Sequence, residues 1–248
     1  MQIYSALQMG DYHLQHCEDY LVIADAGQNK KLIAVLDGCT MGRESYFIST
    51  LAGKILRKIC CTYHWRQWYE PALAALTTEA LLRTILADLW TALKKMQQDL
   101  LLEQQDMLTT LIVLLADEQH GEGIAIAIGD GLISINGQTT IFDQDNKPDY
   151  LGYHLHKDFS KWYASLTQKI YFNDITDITI ATDGICLFQP YQRLPAETET
   201  DPVDFLVHDT TGIAAEDMLQ RKLKTLEHIY GLRPADDIAI IRMIKTVA

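Results

Sequence analysis

Apolar and polar positions along the chain change period several times. Residues 2–8, 20–25 and 31–37 are short runs rich in β-branched and aromatic side chains, separated by turn formers such as AGQNKK, and predict strands. Residues 42–65 and about 71–103 repeat apolar side chains at spacings of three and four, with Pro71 marking a restart, and predict two long helices. TTLIVLLAD (109–117) and GIAIAIGDG (123–131) predict a strand pair across EQHGEG, and LISING and QTTIF a hairpin through Asn136-Gly137. Residues 144–170 have no clean period. DITIATDG (177–184) predicts another strand, residues 214–230 a third helix and DDIAIIRMI (236–244) a closing strand. PAETETDP (195–202) reads as a loop. With no repeat or linker, the expectation is one α+β domain over residues 1–248, in which strand blocks bracket a helical pair.

Several of these apolar runs stop at a bare carboxylate. Asp37-Gly38 ends LIAVL, Asp130-Gly131 ends IAIAIG and Asp183-Gly184 ends ITIAT, while Asp236-Asp237 and Glu18-Asp19 open strands. A single Asp-Gly after a strand is most often a turn. Several copies delivered by buried strands are costly unless something cationic meets them. Oxygen ligands with almost no histidine suit a hard ion such as Mg²⁺ or Mn²⁺. A glycine after the aspartate would let the chain turn tightly and bring the backbone near an ion.

Composition narrows the partners. The chain has 248 residues, 48% hydrophobic, with a formal charge of -12 that argues against nucleic acid, because phosphate backbones select basic stripes. An acidic protein can still bind phosphate esters if cations stand between the two sets of charge. No run approaches the ~20 apolar residues of a membrane span. The start MQIYSALQMGD has no signal pattern, and the five cysteines are odd in number without metal-ribbon spacing, so a reducing cytoplasm is expected.

In order along the chain, CEDY (17–20), LIAVLDG (32–38), TTLIV (109–113), AIGDG (127–131), IATDG (180–184) and ADDIAII (235–241) resemble the signature of the metal-dependent protein phosphatase 2C family. GDYHLQHCEDY also looks like the H…CxD opening of a bacterial branch, and the likeness runs from about residue 10 to 242. It implies a four-layer αββα sandwich of two antiparallel sheets flanked by helices. It further implies two Mn²⁺ or Mg²⁺ ions, with Asp37 bridging both, Gly38 offering its carbonyl, and Asp183 and Asp236 completing the second position. Glu18 and Asp19 would act through metal-bound water, and Asp130 matches an aspartate that holds a third metal. Two ions roughly 3.5–4 Å apart would activate a bridging water for in-line attack on phosphoserine or phosphothreonine of a protein substrate. His13 or His16 could protonate the leaving oxygen. The expected protein is a cytoplasmic bacterial signalling phosphatase that works as a monomer without nucleic-acid or membrane partners.

Four positions depart from the family pattern. Leu14 stands where many members have an arginine that grips phosphate, with Arg43 the nearest substitute, although an ordinary surface arginine is the simpler reading. Leu187 replaces a second aspartate and so weakens the case for the third metal. The final pair is Asp236-Asp237, which adds a charge, and DGCTMG replaces a more glycine-rich loop. These changes keep open a rival reading: a weakly active or inactive member that binds a phosphoprotein or partner without turnover. A small phosphate ester is a further candidate substrate. Cys60 to Arg66 matches the Cys-x5-Arg spacing of cysteine-dependent phosphatases but lies within a helical pattern, crowded by Tyr63 and Trp65 and lacking glycine. Cys39 beside Asp37 reads as a small residue that fits its loop or as a redox-sensitive thiol.

Overall fold

In the computed structural model, residues 1–42, 45–144, 148–191 and 200–245 are described. The elements run β1 (Gln2–Gln8), β2 (Tyr20–Gly27), β3 (Lys30–Leu36), α1 (Ser45–Arg66), α2 (Pro71–Ala74), α3 (Thr78–Asp99), β4 (Leu111–Asp117), β5 (Glu122–Ile128), β6 (Gly131–Ile135) and β7 (Gln138–Phe142). They continue with α4 (Phe159–Ser165), β8 (Lys169–Asn173), β9 (Asp177–Ala181), β10 (Phe188–Pro190), α5 (Pro202–Val207), α6 (Met218–His228), β11 (Leu232–Pro234) and β12 (Ile238–Ile244). One sheet has the order β1-β12-β9-β6-β7 and the other β2-β3-β4-β5-β8, with β10-β11 a small separate pair. Every pairing is antiparallel.

Strand periodicity explains the layers, because successive side chains point to opposite faces. Leu32, Ala34 and Leu36 of β3 pack against α1 and α3, while Ile33 and Val35 face the second sheet. Ile178, Ile180, Ala239, Ile241 and Met243 meet them from that sheet. Its other face, with Tyr4, Leu132, Ala181 and Ile240, is covered by α5 and α6. The order is helix, sheet, sheet, helix: the αββα sandwich. Strands covered on both faces read as continuous apolar runs, which is why β3, β4 and β12 show almost no alternation. Charge is buried in this outer layer as well, on Lys222 and Arg242. Arg242 is fully buried, with Nε and Nη2 donating to Asp177 at 3.0 and 2.6 Å and its guanidinium also meeting the carbonyls of Leu206, His208 and Asp209.

Several boundaries differ from the sequence pattern. The run at 71–103 is broken: α2 stops at Ala74, and α3 restarts behind Thr77, whose hydroxyl accepts the Ala80 N–H at 3.2 Å. The helix predicted at 214–230 narrows to Met218–His228. The segment 144–170 contributes α4 and the start of β8, a strand whose single KIYFN turn of alternation was too short to read. The 136–137 hairpin is present, with Asn136 at φ 51° and Gly137 at φ 85°, as its two-residue turn requires.

Ile241 is fully buried between the sheets, whereas Ile141 on β7 is 54% exposed. Ile241→Ala is expected to cost about 2–5 kcal/mol by urea unfolding, and Ile141→Ala less than about 1 kcal/mol. Equal losses would place the shared core elsewhere.

Candidate active site

Antiparallel pairing collects the strand-end carboxylates. Tyr20 pairs with Leu36, Leu111 with Ile128, and Ala181 with both Leu132 and Ile240. The starts of β2, β4, β6 and β12 therefore lie beside the ends of β3, β5 and β9. Just beyond them stand Glu18 and Asp19, Asp37, Asp130, Asp183, and Asp236 and Asp237.

The Asp37 backbone is locked in place. Its N–H donates to the Thr110 hydroxyl at 3.1 Å, and its carbonyl accepts the Thr110 N–H and the Thr109 hydroxyl, both at 2.8 Å. Burial holds the Asp37 carboxyl well above the usual range, reinforced by the charges of Asp19, Asp183, Asp236 and Asp130. Asp19 is also raised, first by burial and then by Asp237, Asp183 and Asp236, against the Thr182 hydroxyl that donates to it at 2.6 Å. Asp183 is pushed up to about 7 by burial and by Asp130 and Asp236. Asp130 is raised by burial, Asp143 and Asp236, and its Oδ1 is buried with no hydrogen-bond partner among the described residues. Each of these aspartates thus feels its neighbours as like charge.

Two of the glycines that follow aspartates are set by packing. Neither Gly38 nor Gly184 has a positive φ. A Cβ on Gly38 would lie 2.1 Å from the Ser45 carbonyl oxygen, and one on Gly184 would lie 1.9 Å from that of Asp237. The glycines permit close packing of backbones around the aspartates, rather than an unusual turn.

His13 lies inside the acidic group. Its Nε2 is 3.0 Å from Asp236 Oδ1, and its Nδ1 is 3.4 Å from Glu18 Oε1 and 3.7 Å from Asp237 Oδ2. Glu18 also accepts the Thr40 hydroxyl at 3.0 Å. His16, by contrast, is exposed and stacks on Tyr46 with ring centroids 4.2 Å apart. Asp237 accepts the N–H groups of Gly10 at 2.8 Å and Glu18 at 2.5 Å, so the added charge of the final pair fastens the N-terminal loop.

The departures can also be placed. Leu14 is 89% exposed and lines a cavity of about 540 Å³ with Tyr12, His13, Glu18 and Thr40. Arg43 lies outside the described residues. Leu187 lines a smaller cavity, about 140 Å³, with Asp130, Asp143 and Asp183. Cys39 is buried against Leu108 and Tyr150. Cys60 is buried within α1, and Arg66 is paired with Glu70 at 2.9 and 2.8 Å, so these two form no phosphate loop. The sequence reading passed over Thr109, Thr110 and Thr182 as ligating partners of the aspartates, although each sits inside a quoted motif.

The all-oxygen donor set, the orphaned Asp130 Oδ1 and the mutual repulsion suit a hard divalent cation. As the side chains stand, no group of three or more His, Cys, Asp and Glu among the described residues is drawn together as a finished metal cage. The fit therefore rests on donor chemistry and charge.

The family model described as Protein phosphatase 2C matches residues 10–227. The chain belongs to the protein phosphatase 2C family. No curated protein matches the sequence. Among solved structures, it is similar to a bacterial serine phosphatase carrying a point mutation, at 16% identity and TM-score 0.61 over 99% of each chain. It is also similar to the SiaA-PP2C domain of Pseudomonas aeruginosa, at 14% identity and TM-score 0.59 over 98% of this chain and 86% of the other. A third is serine/threonine phosphatase Stp1 from Staphylococcus aureus, at 14% identity and TM-score 0.57 over 100% and 96%. At these identities the likeness shows the fold.

The raised carboxyls set the sign of a pH effect. They keep protons in the folded state that the unfolded chain releases near pH 4, so stability falls as pH rises from about 4 toward 7 and then flattens for Asp183. In EDTA, the urea midpoint should be lower at pH 8 than at pH 5. Asp183→Asn should reduce that difference, and Mn²⁺ should restore more stability at pH 8 than at pH 5. Equal midpoints at both pH values would contradict the charge cluster.

Proposed function

We propose that this member of the protein phosphatase 2C family is a metal-dependent hydrolase that removes phosphate from phosphoserine or phosphothreonine of proteins, acting as one domain over residues 1–248. The observation that carries the reading is the meeting of Asp19, Asp37, Asp130, Asp183 and Asp236 at one end of the sandwich, each of the first four raised by the charge of others. Asp37, the Gly38 carbonyl, Asp183 and Asp236 would hold two Mn²⁺ or Mg²⁺ ions, with Glu18 and Asp19 acting through water and Asp130 available to a third. Bound there, such ions would supply Lewis acidity toward water and offset charge on the phosphoryl oxygens.

The chain's own groups have separable tasks. Thr109 and Thr110 hold the Asp37 backbone still, and Thr182 orients Asp19. His13, beside Asp236 and Glu18, would hold a proton for the leaving serine or threonine oxygen. Leu14 brings no charge to the substrate phosphate, so phosphate binding would fall on the acidic end and its ions. For location, the five free cysteines favour a reducing cytoplasm. No helix among the described residues is long and apolar enough to cross a membrane. The charge of -12 disfavours nucleic acid, and we read the working form as a monomer.

A second reading is a phosphoprotein-binding module with little turnover. It is favoured by one feature: Leu14, an apolar side chain 89% exposed, lines the cavity beside His13 and Glu18. Turnover separates the two. With Mn²⁺, the protein should hydrolyse an aryl phosphate and a phosphothreonine peptide, and EDTA should abolish this. Asp37→Asn should lower kcat by more than the 10–100-fold that loss of an outer partner of a metal site costs, and His13→Gln by about 100-fold. A folded protein that binds Mn²⁺ and phosphopeptide without turnover would establish the binding module; Leu14→Arg would then be expected to raise hydrolysis.

A further inference from the structure

Away from the acidic end, the helical layer over the β2-β3-β4-β5-β8 sheet has the opposite electrostatic character. Helices α1 and α3 hold seven of the chain's 21 Lys and Arg but three of its 33 Asp and Glu. Helix α1 contains no acidic residue at all, although the whole chain carries a formal charge of -12. Two of the three acids are engaged within this layer: Asp88 accepts the Tyr63 hydroxyl at 2.8 Å and Asp99 pairs with Lys95. Lys54 and Lys58 are exposed and have no ion-pair partner among the described residues.

Between the two helices runs a groove of about 390 Å³. Ile55, Ile59 and Thr62 line it from α1 at spacings of four and three, with Lys58 beside them, and Ala92 and Met96 line it from α3, where Asp88 and Lys95 are engaged by the Tyr63 hydroxyl and by Asp99. Lys54 and Lys58 follow the Ile55 and Ile59 stripe one position away, so exposed basic side chains flank the apolar floor on its α1 side. From Ile55 to Thr62 the groove extends about 10 Å along the axis, or two helical turns. Channels between paired helices accept the side-chain ridge of a third helix. At the α1 end of the layer Trp65, Trp68 and Tyr69 are 60%, 70% and 68% exposed, the residue types that anchor interfaces.

We infer that the groove between α1 and α3 is a docking site for an acidic amphipathic helix of a partner protein. The occupant presents apolar side chains at i, i+3 or i+4 and i+7 to Ile55, Ile59 and Met96, with Asp or Glu along the edge that faces Lys54 and Lys58. The concave floor favours a helix over a lipid surface, which would press on convex side chains. The choice of an acidic partner follows from charge complementarity, which governs encounter rate and partner selection more than raw affinity. This inference is independent of catalysis at the opposite charge pole.

The probe is a synthetic helical peptide of about 15 residues, the length at which an isolated helix becomes marginally stable, with a Leu stripe flanked by Glu. Its counterpart carries Lys in place of every Glu. Binding to the full chain would be followed by titration calorimetry at low and high salt. The Glu peptide should bind, more weakly at high salt, and the Lys peptide should not. Lys54→Glu with Lys58→Glu should weaken the Glu peptide by about tenfold, the sum of two exposed pairs, and should gain binding of the Lys peptide. Both substitutions are on exposed side chains, and an unchanged melting curve verifies folding. Met96→Ala should weaken the Glu peptide without altering the preference between peptides. Equal binding of both peptides, or no effect of the charge reversal, would overturn the inference. So would no binding of the Glu peptide, preferential uptake by phosphatidylglycerol vesicles, or self-association that the charge reversal abolishes.

Discussion

Repulsion among aspartates forced to share one end of a sandwich is the constraint around which this molecule is organised. Asp37 and Asp183 lie on different sheets, yet each is raised by the other's neighbours as well as by burial. Left to itself, such a set would drive the strand ends apart. What opposes it is apolar: Ile33 and Val35 on one sheet meet Ile180, Ala239 and Ile241 on the other, all fully buried. The hydrophobic layer between the sheets holds the charges at a separation they would not choose, and that conflict makes the site receptive to cations.

The rest of the acidic end is built to keep the aspartates where the core puts them. Hydroxyls of Thr109, Thr110 and Thr182 hold main-chain and carboxylate positions. Asp237 turns its charge toward two backbone N–H groups and so ties the loop carrying His13 to the start of β12. Gly38 and Gly184 leave room for backbone to pass within a distance that any side chain would block. None of these groups needs to touch a substrate to matter; they fix the spacing on which ligand chemistry depends.

Charge is also partitioned across the fold. Acids gather at the strand ends, and bases gather on α1 and α3, where the sequence alternates lysine with isoleucine along neighbouring stripes. At the far side of the molecule, buried Arg242 joins β12 to the residues around α5 through Asp177 and three carbonyls. That charge is internal and fully engaged, unlike Lys54 and Lys58. One fold thus uses cations in two ways, as an internal tie and as an exposed rim.

The sequence by itself determined the strands covered on both faces, the hairpin at Asn136-Gly137, the carboxylates at strand ends and their order along the chain. Those features are local: apolar runs, turn residues and short motifs each carry their own signal. It also marked Leu14 and Leu187 as departures. Tertiary structure alone decided that Asp130 and Asp236 face Asp183, that His13 falls among three carboxylates while His16 stacks on Tyr46, and that Asp237 binds backbone. It also broke the apparent helix at 71–103 and supplied β8. Apart from the local break at 71–103, these outcomes depend on residues distant along the chain meeting through antiparallel registers, and burial and like charge act on distance in space, which no spacing along the chain encodes.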